Sequence, residues 1–235
     1  MRINILIFTA LLKIWVLSIL RMKARSFMKL KKKKFGLAAL ILMSLSGSIH
    51  AETPLTNSTV INGDTTINVD TGANSGINLS GNKEISLAAS ASDAAVTIKV
   101  NGQKSVGDVR YGIRISNGAK INLSDLNIIS EDKTGDVNGI YASASEININ
   151  NLNVDVNGNS IYGVNIYNGS QMNVAGNMMI AVKGDTVPSS GIRGVTVNSA
   201  SGVLNVQGDL IIKAESDQRG YGIYNTSGGK LNVAQ

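Results

Sequence analysis

Cysteine is absent from the 235 residues, proline occurs twice, and aromatic residues make up only 4% of the chain. The scarcity is uneven. The single His (His50), the single Trp (Trp15) and all three Phe (Phe8, Phe27, Phe35) precede Glu52, so residues 52–235 contain no His, Cys, Trp or Phe. Imidazole bases, thiolate nucleophiles, disulfides and zinc sites of the usual ligand sets are thereby excluded from that part. Acidic residues are missing from the other part. Up to Ala51 there are ten of the 22 Lys/Arg and none of the 16 Asp/Glu, which leaves 12 basic against 16 acidic residues from Glu52 onward, a net of −4. The +6 of the whole chain therefore belongs to its beginning. It is no footprint for nucleic acid, which needs a basic stripe on a folded surface, and no nucleic-acid partner is expected.

The basic beginning has the form of a secretory signal. Met28 opens a run with Lys29 and Lys31 to Lys34, followed by an apolar stretch from Phe35 to Leu45 and small residues from Ser46 to Ala51. The apolar stretch is too short to span a bilayer, which favours a helical signal peptide over 28–51 with cleavage between Ala51 and Glu52. Its partner is the Sec export machinery. Residues 1–27 carry a second apolar stretch, Ile3 to Leu20, with basic residues behind it. They read either as an extension or anchor of the signal or as sequence upstream of the true start. The second reading is favoured, because a complete signal already begins at Met28.

What is abundant after Glu52 is Gly, Asn and Ser in a recurring order. Five segments begin with Gly-Ile or Gly-Val, at Gly112, Gly139, Gly163, Gly194 and Gly222. About ten residues later each carries an apolar-Asn-apolar triplet, centred on Asn122, Asn148, Asn173, Asn205 and Asn232. Weaker triplets precede them, Ile67-Asn68-Val69 and Ile77-Asn78-Leu79, with Ile85-Ser86-Leu87 beside them. Apolar residues alternate within each unit (Ile113 and Ile115, Ile121 and Leu123, Leu126 and Ile128), the period of a half-buried strand. Between the pairs lie turn formers, Ser116-Asn117-Gly118 and Ser124-Asp125, then the loop Ser130 to Asn138. Each unit thus predicts three short strands and three corners. Such a unit cannot bury its own apolar face, but stacked units can. The expectation is an all-β parallel β-helix over 52–235, with an aliphatic interior and outward Asn side chains that hydrogen-bond in a ladder.

Other residues invite functional readings. Tyr111, Tyr162 and Tyr221 precede the unit glycine, while Tyr141 and Tyr224 stand outward two residues after it. An exposed tyrosine row suits carbohydrate or protein contact, and packing between rungs explains it as well. The segment Glu131-Asp132-Lys133-Thr134-Gly135-Asp136 is acidic but lacks calcium-loop spacing, as do Asp155, Asn157 and Asn159 around Gly158, so both read as solvated corners. Arg110, Arg114, Arg193 and Arg219 lie near unit glycines and would have to line up with paired carboxylates to make a secreted carbohydrate-active enzyme, the alternative reading. No catalytic, cofactor-binding or metal-binding residue is assigned, and no cofactor is expected.

The Lys-rich signal, the Cys-free Gly/Asn/Ser-rich body and the Gly-Ile/Val repeats with their Ile-Asn-Val-like triplets resemble the passenger region of bacterial autotransporters, the type V secretion family. The resemblance covers residues 52–235. It implies a right-handed β-helix displayed at the surface of a Gram-negative bacterium or released from it, acting in adhesion to host protein or carbohydrate or in self-association. It also implies a C-terminal outer-membrane barrel. No alternating, aromatic-girdled segments of that kind occur in this chain, so it reads as an N-terminal fragment or truncated product. The lack of cysteine fits transit through an oxidising periplasm, where cross-links would close large loops in an unfolded passenger.

Overall fold

The computed structural model describes residues 49–51, 54–69, 73–101, 109–130, 135–159, 161–184, 191–217 and 219–234. The expected signal segment and the extension before it lie outside these residues, as does Glu52, apart from Ile49–Ala51. Those three residues are not helical: they form strand β1, which pairs in parallel with Thr65 to Ile67. Among the described residues no helix is long and apolar enough to cross a membrane.

The remaining strands follow one another in coils. β2 (Thr59–Ile61), β3 (Thr65–Val69) and β4 (Ser75–Ser80) make the first, and β5 (Glu84–Leu87), β6 (Ala95–Val100) and β7 (Val109–Ser116) the next. A short 3-10 turn, Ala89–Ala91, projects between β5 and β6. Then come β8 (Lys120–Ile129) with β9 (Asp136–Ser143), and β10 (Glu146–Gly158) with β11 (Ile161–Tyr167). β12 (Gln171–Val174), β13 (Met178–Gly184) and β14 (Ile192–Asn198) form a further coil, and β15 (Val203–Val206), β16 (Leu210–Ser216) and β17 (Gly220–Thr226) another, before β18 (Lys230–Val233). Every strand pairing is parallel and joins a strand to its equivalent in the adjacent coil. The architecture is a right-handed parallel β-solenoid.

Three faces run along it. The first carries β5, the opening half of β8 and of β10, then β12, β15 and β18; the second carries β3, β6, the closing halves of β8 and β10, then β13 and β16. The third is the separate six-stranded sheet β17-β14-β11-β9-β7-β4. The corner expected at Ser124-Asp125 is a bend rather than a break. β8 runs through it, and the alternation slips there because Leu123 and Ser124 are buried in succession. The two weaker triplets do not belong with the later ones either. Asn68 sits on the second face opposite Lys99, and Asn78 on the third opposite Arg114. An apolar-polar-apolar triplet is simply what any half-buried strand looks like, so the motif alone does not say which face it occupies.

The interior is made of vertical aliphatic columns. Ile67, Ile98, Ile128, Val154 and Ile180 stack in register on the second face, each at most 2% exposed. Ile77, Ile113, Ile140, Val164 and Val195 do the same on the third, all fully buried. Burying each such side chain stabilises by roughly 1.5–3 kcal/mol before conformational entropy is counted.

The unit glycines hold these two columns together. Gly112, Gly139, Gly163 and Gly194 stand where the third sheet bends toward the second face, and the backbone there approaches the facing column. A Cβ on Gly112 would meet Ile128 Cγ2 at 2.6 Å and the carbonyl oxygen of Gly139 at 2.7 Å. At Gly139 the obstacles are Val154 and the Gly163 carbonyl, and at Gly163 they are Ile180 and the Gly194 carbonyl. The glycine therefore recurs because a side chain would collide both with the opposite sheet and with the coil above. Gly222 differs, its nearest neighbour being Ile212 Cγ2 at 3.8 Å.

A second backbone requirement marks the corner leading to the first face. Asn117-Gly118 (φ 56° and 85°), Asn168-Gly169 (48° and 78°) and Ser227-Gly228 (58° and 77°) all take the left-handed region there. Ala144, the equivalent of Asn117 by the pairing of Ser116 with Ser143, is held at φ 48°. Alanine lacks the small polar side chain that makes this conformation accessible to asparagine.

Two outcomes follow for urea unfolding of the full chain. Gly139→Ala should destabilise by about 1–3 kcal/mol, the usual range for forcing atoms into a packed core, whereas Gly222→Ala should stay within about 0.5 kcal/mol of the parent; equal effects would contradict the packing role. Ala144→Asn should raise stability by about 0.5–1 kcal/mol, since it relieves left-handed strain at a corner that already accepts Asn117 and Asn168.

Candidate functional site

Asparagine can both donate and accept through one side-chain amide, and strand alternation turns the triplet asparagines outward. Parallel in-register pairing then brings each amide beside the next: Asn122 opposite Asn148, Asn148 opposite Asn173, Asn173 opposite Asn205 and Asn205 opposite Asn232. In each of these four pairs the Nδ2 of the later residue donates to the Oδ1 of the earlier one at 2.8 Å. The ladder begins on an acid, because Asn122 Nδ2 donates to Glu84 Oε1 at 2.7 Å. Since every amide points the same way along the axis, the hydrogen bonds align and polarise one another.

A second polar column runs along the neighbouring corner. Asn151 Nδ2 donates to Asp125 Oδ1 at 2.8 Å, while Asn151 Oδ1 accepts from the backbone N–H of Asn177 at 3.0 Å. Asn177 Oδ1 in turn accepts from the N–H of Asp209 at 3.0 Å. Charged pairs bridge adjacent strands beside these columns. Lys120 Nζ meets Glu146 Oε2 at 2.8 Å and Lys183 Nζ meets Glu215 Oε2 at 3.7 Å, while Lys213 Nζ meets Glu215 Oε1 at 2.6 Å within β16. The hydrogen bond from Lys120, and secondarily that from Asn148, holds the Glu146 carboxyl below the usual range; Glu146 raises Lys120 correspondingly. Because its folded pKa is depressed, Glu146 stabilises the fold above the ordinary carboxylate range, and that contribution is lost as pH falls through the folded value. Both groups are exposed, so it is small.

The ladder forms the floor of an open groove of about 560 Å³. Asn122, Asn148, Asn173 and Asn205 line its length, with Ala88, Ala89 and Ser92 of the projecting turn at one end. Asn122, Asn173 and Asn205 each keep one N–H and one oxygen lone pair beyond the ladder bonds, whereas the second N–H of Asn148 donates to Glu146 Oε1 at 3.0 Å. The groove can thus present acceptors at every rung, and donors at Asn122, Asn173 and Asn205, to an extended polar chain.

The third face carries different chemistry in two outward columns that straddle the glycine bend. Register places Tyr111, Asn138, Tyr162, Arg193 and Tyr221 in one, and Arg114, Tyr141, Asn165, Thr196 and Tyr224 in the other. Rings and guanidiniums interleave. Arg193 lies 4.0 Å over the Tyr224 ring and 5.1 Å over that of Tyr162, and its Nη1 donates to the Tyr162 hydroxyl at 3.1 Å. Arg114 stands 5.4 Å over Tyr111, which packs edge-on against Tyr141 at 5.9 Å. Burial pushes the Tyr111 hydroxyl pKa up, with Arg114 acting against it. Packing between rungs and outward display, offered as alternatives for the tyrosines, are here the same arrangement.

The four arginines do not line up. Arg110 points inward, only 4% exposed, and its Nη1 donates to the Asn101 carbonyl. Arg114 and Arg193 occupy different columns, and Arg219 lies exposed before β17. Four of the described carboxylates are engaged elsewhere: Glu84 with Asn122, Glu146 with Lys120, Asp125 with Asn151 and Asp64 with the Ala95 N–H. Most of the acidic segment 131–136 lies outside the described residues. Among those described, no group of three His, Cys, Asp or Glu side chains gathers to hold a metal ion. Missed from the sequence were the stacking of Arg on Tyr and the interior role of the unit glycines. The near-constant offset of Tyr and Arg from each glycine was the available signal.

No protein-family model, curated protein or solved structure matches this chain.

Asn148→Ala breaks two rungs of the ladder and should cost about 1–2 kcal/mol in urea unfolding. Asn148→Asp keeps the acceptor for Asn173 but loses the donor and sets a second carboxylate beside Glu146. Its destabilisation should be larger at pH 7 than at pH 4, where the new carboxyl is protonated; a pH-independent loss would remove the ladder as its cause.

Proposed function

We propose that this chain is an exported β-helical passenger or stalk that works by presenting its faces, in adhesion or self-association, and performs no catalysis. The observation that carries this reading is the continuous Asn ladder over a dry aliphatic interior. It turns a repeat into a rod whose side faces repeat at strand spacing, suited to contacting extended partners along its length. The Lys-rich segment from Met28 and the lack of cysteine support export. The use of Glu84, Asp125 and Glu146 in contacts that join adjacent coils, a stabilising use, supports the non-catalytic part of the reading. The implied companions are the Sec machinery and an outer-membrane barrel.

The test is expression of the full reading frame containing this chain in a Gram-negative host. The proposal expects a mature N-terminus at Glu52 by N-terminal sequencing, and removal of the folded segment from intact cells by added protease. Retention of the leader together with protection in the cytoplasm would refute it.

A further inference from the structure

Five of the six tyrosines of this chain and two of its arginines fall in the two outward columns of the third sheet. No Asp or Glu stands in either column, although residues 52–235 carry a net negative charge. The guanidiniums of Arg114 and Arg193 are held by ring faces and a phenol hydroxyl rather than by carboxylates. Their charge is thus oriented but not neutralised by an ion pair. A purely structural pairing would be expected to use the carboxylates that the other faces employ.

A second observation points to a ligand. Asn138 is 8% exposed and Thr196 1% exposed, both on the outer side of the sheet. The Oδ1 of Asn138, the Oδ1 of Asn165, the Oγ1 of Thr196 and the Nε of Arg193 are all buried without a hydrogen-bond partner. Orphaned polar atoms cost about 1–3 kcal/mol each, and four of them among tyrosine rings call for an explanation. A ligand reaching them must displace the side chains beside them and offer both donors and acceptors.

Taken together, the geometry points to a glycan-binding face for a sugar chain bearing sparse carboxylates, with Tyr rings stacking on the pyranose C–H faces, Arg114 and Arg193 receiving carboxylates, and Asn138, Asn165 and Thr196 bonding to hydroxyl or acetamido groups. The tyrosine spacing agrees with this class. Tyr111 and Tyr162 stand two strands apart, about 10 Å at roughly 4.8 Å per strand, on the order of a disaccharide. Arg114 and Arg193 stand three strands apart, about 14 Å on the same basis. A nucleic acid would need many cationic contacts to offset its closely spaced phosphates, and two arginines on an acidic body cannot supply them. This deepens the adhesive reading and rests on it for its biological setting. The binding itself is measured on purified protein, so it can fail while surface display holds, and the reverse.

The experiment is titration of the full chain with a hyaluronan decasaccharide, which bears one carboxylate per disaccharide. A neutral chitin oligosaccharide and an oligothymidylate serve as competitors. Saturable hyaluronan binding is expected, at least about tenfold tighter than the chitin oligosaccharide and weakened by added salt. Arg193→Gln and Tyr162→Ala should each weaken it about tenfold or more, with the β-strand circular dichroism unchanged. Arg114 is exposed, so Arg114→Gln provides a variant without folding risk and should weaken binding by at least about threefold. Absence of saturable binding, equal affinity for the neutral sugar or the oligothymidylate, or affinity indifferent to all three substitutions would overturn the assignment.

Discussion

Parallel pairing at single-strand spacing places every side chain against its own equivalent in the next coil, and the rest of this molecule depends on that repetition. Inside, it converts one aliphatic residue per strand into a continuous column such as Ile67, Ile98, Ile128, Val154 and Ile180. Outside, it converts one asparagine per coil into a hydrogen-bonded ladder. A residue type succeeds here only if it tolerates an identical neighbour above and below. Ile and Val do so through dispersion, and Asn through a side chain that is donor at one end and acceptor at the other. Charged residues tolerate it only by alternating in sign, as Lys120 does with Glu146.

The same repetition explains why the unit glycine recurs. The third sheet bends there, the interior is narrow, and the space a Cβ would need is taken by an Ile or Val of the facing sheet and by the carbonyl of the coil above. Backbone hydrogen bonding, core width and sequence period are therefore one constraint. Loop length is free of it: the ladder asparagines are separated by 25 residues in one step (Asn148 to Asn173) and 32 in another (Asn173 to Asn205), yet their bonds are equally long. The extra residues fall between strands in sequence, and the rungs keep their register.

Functional chemistry separates by face. The first face is neutral amide over an open groove, and ion pairs cluster at strand starts and on the second face. The third gathers tyrosine and arginine with orphaned polar atoms beneath. Stacking makes such separation inevitable once one residue type is favoured at one position of the unit, because every copy falls on the same stripe. A solenoid can thus carry several unrelated surfaces without any change of fold.

Much of this was legible in the order of residues alone. The period-two alternation of Ile113 with Ile115 and of Ile121 with Leu123 specified strands, and recurrence of Gly112, Gly139 and Gly163 at one offset specified stacked equivalents. Both are local properties, since alternation reflects burial of one strand face and recurrence reflects an identical neighbour. Only the three-dimensional arrangement decided which face each strand joined. The triplets at Asn68, Asn78 and Asn122 look alike in sequence and stand on three different faces, because face depends on where the chain turns. It alone also turned Arg110 inward while laying Arg193 over Tyr224, since a bend of the sheet at glycine interrupts the alternation by which a sequence is read.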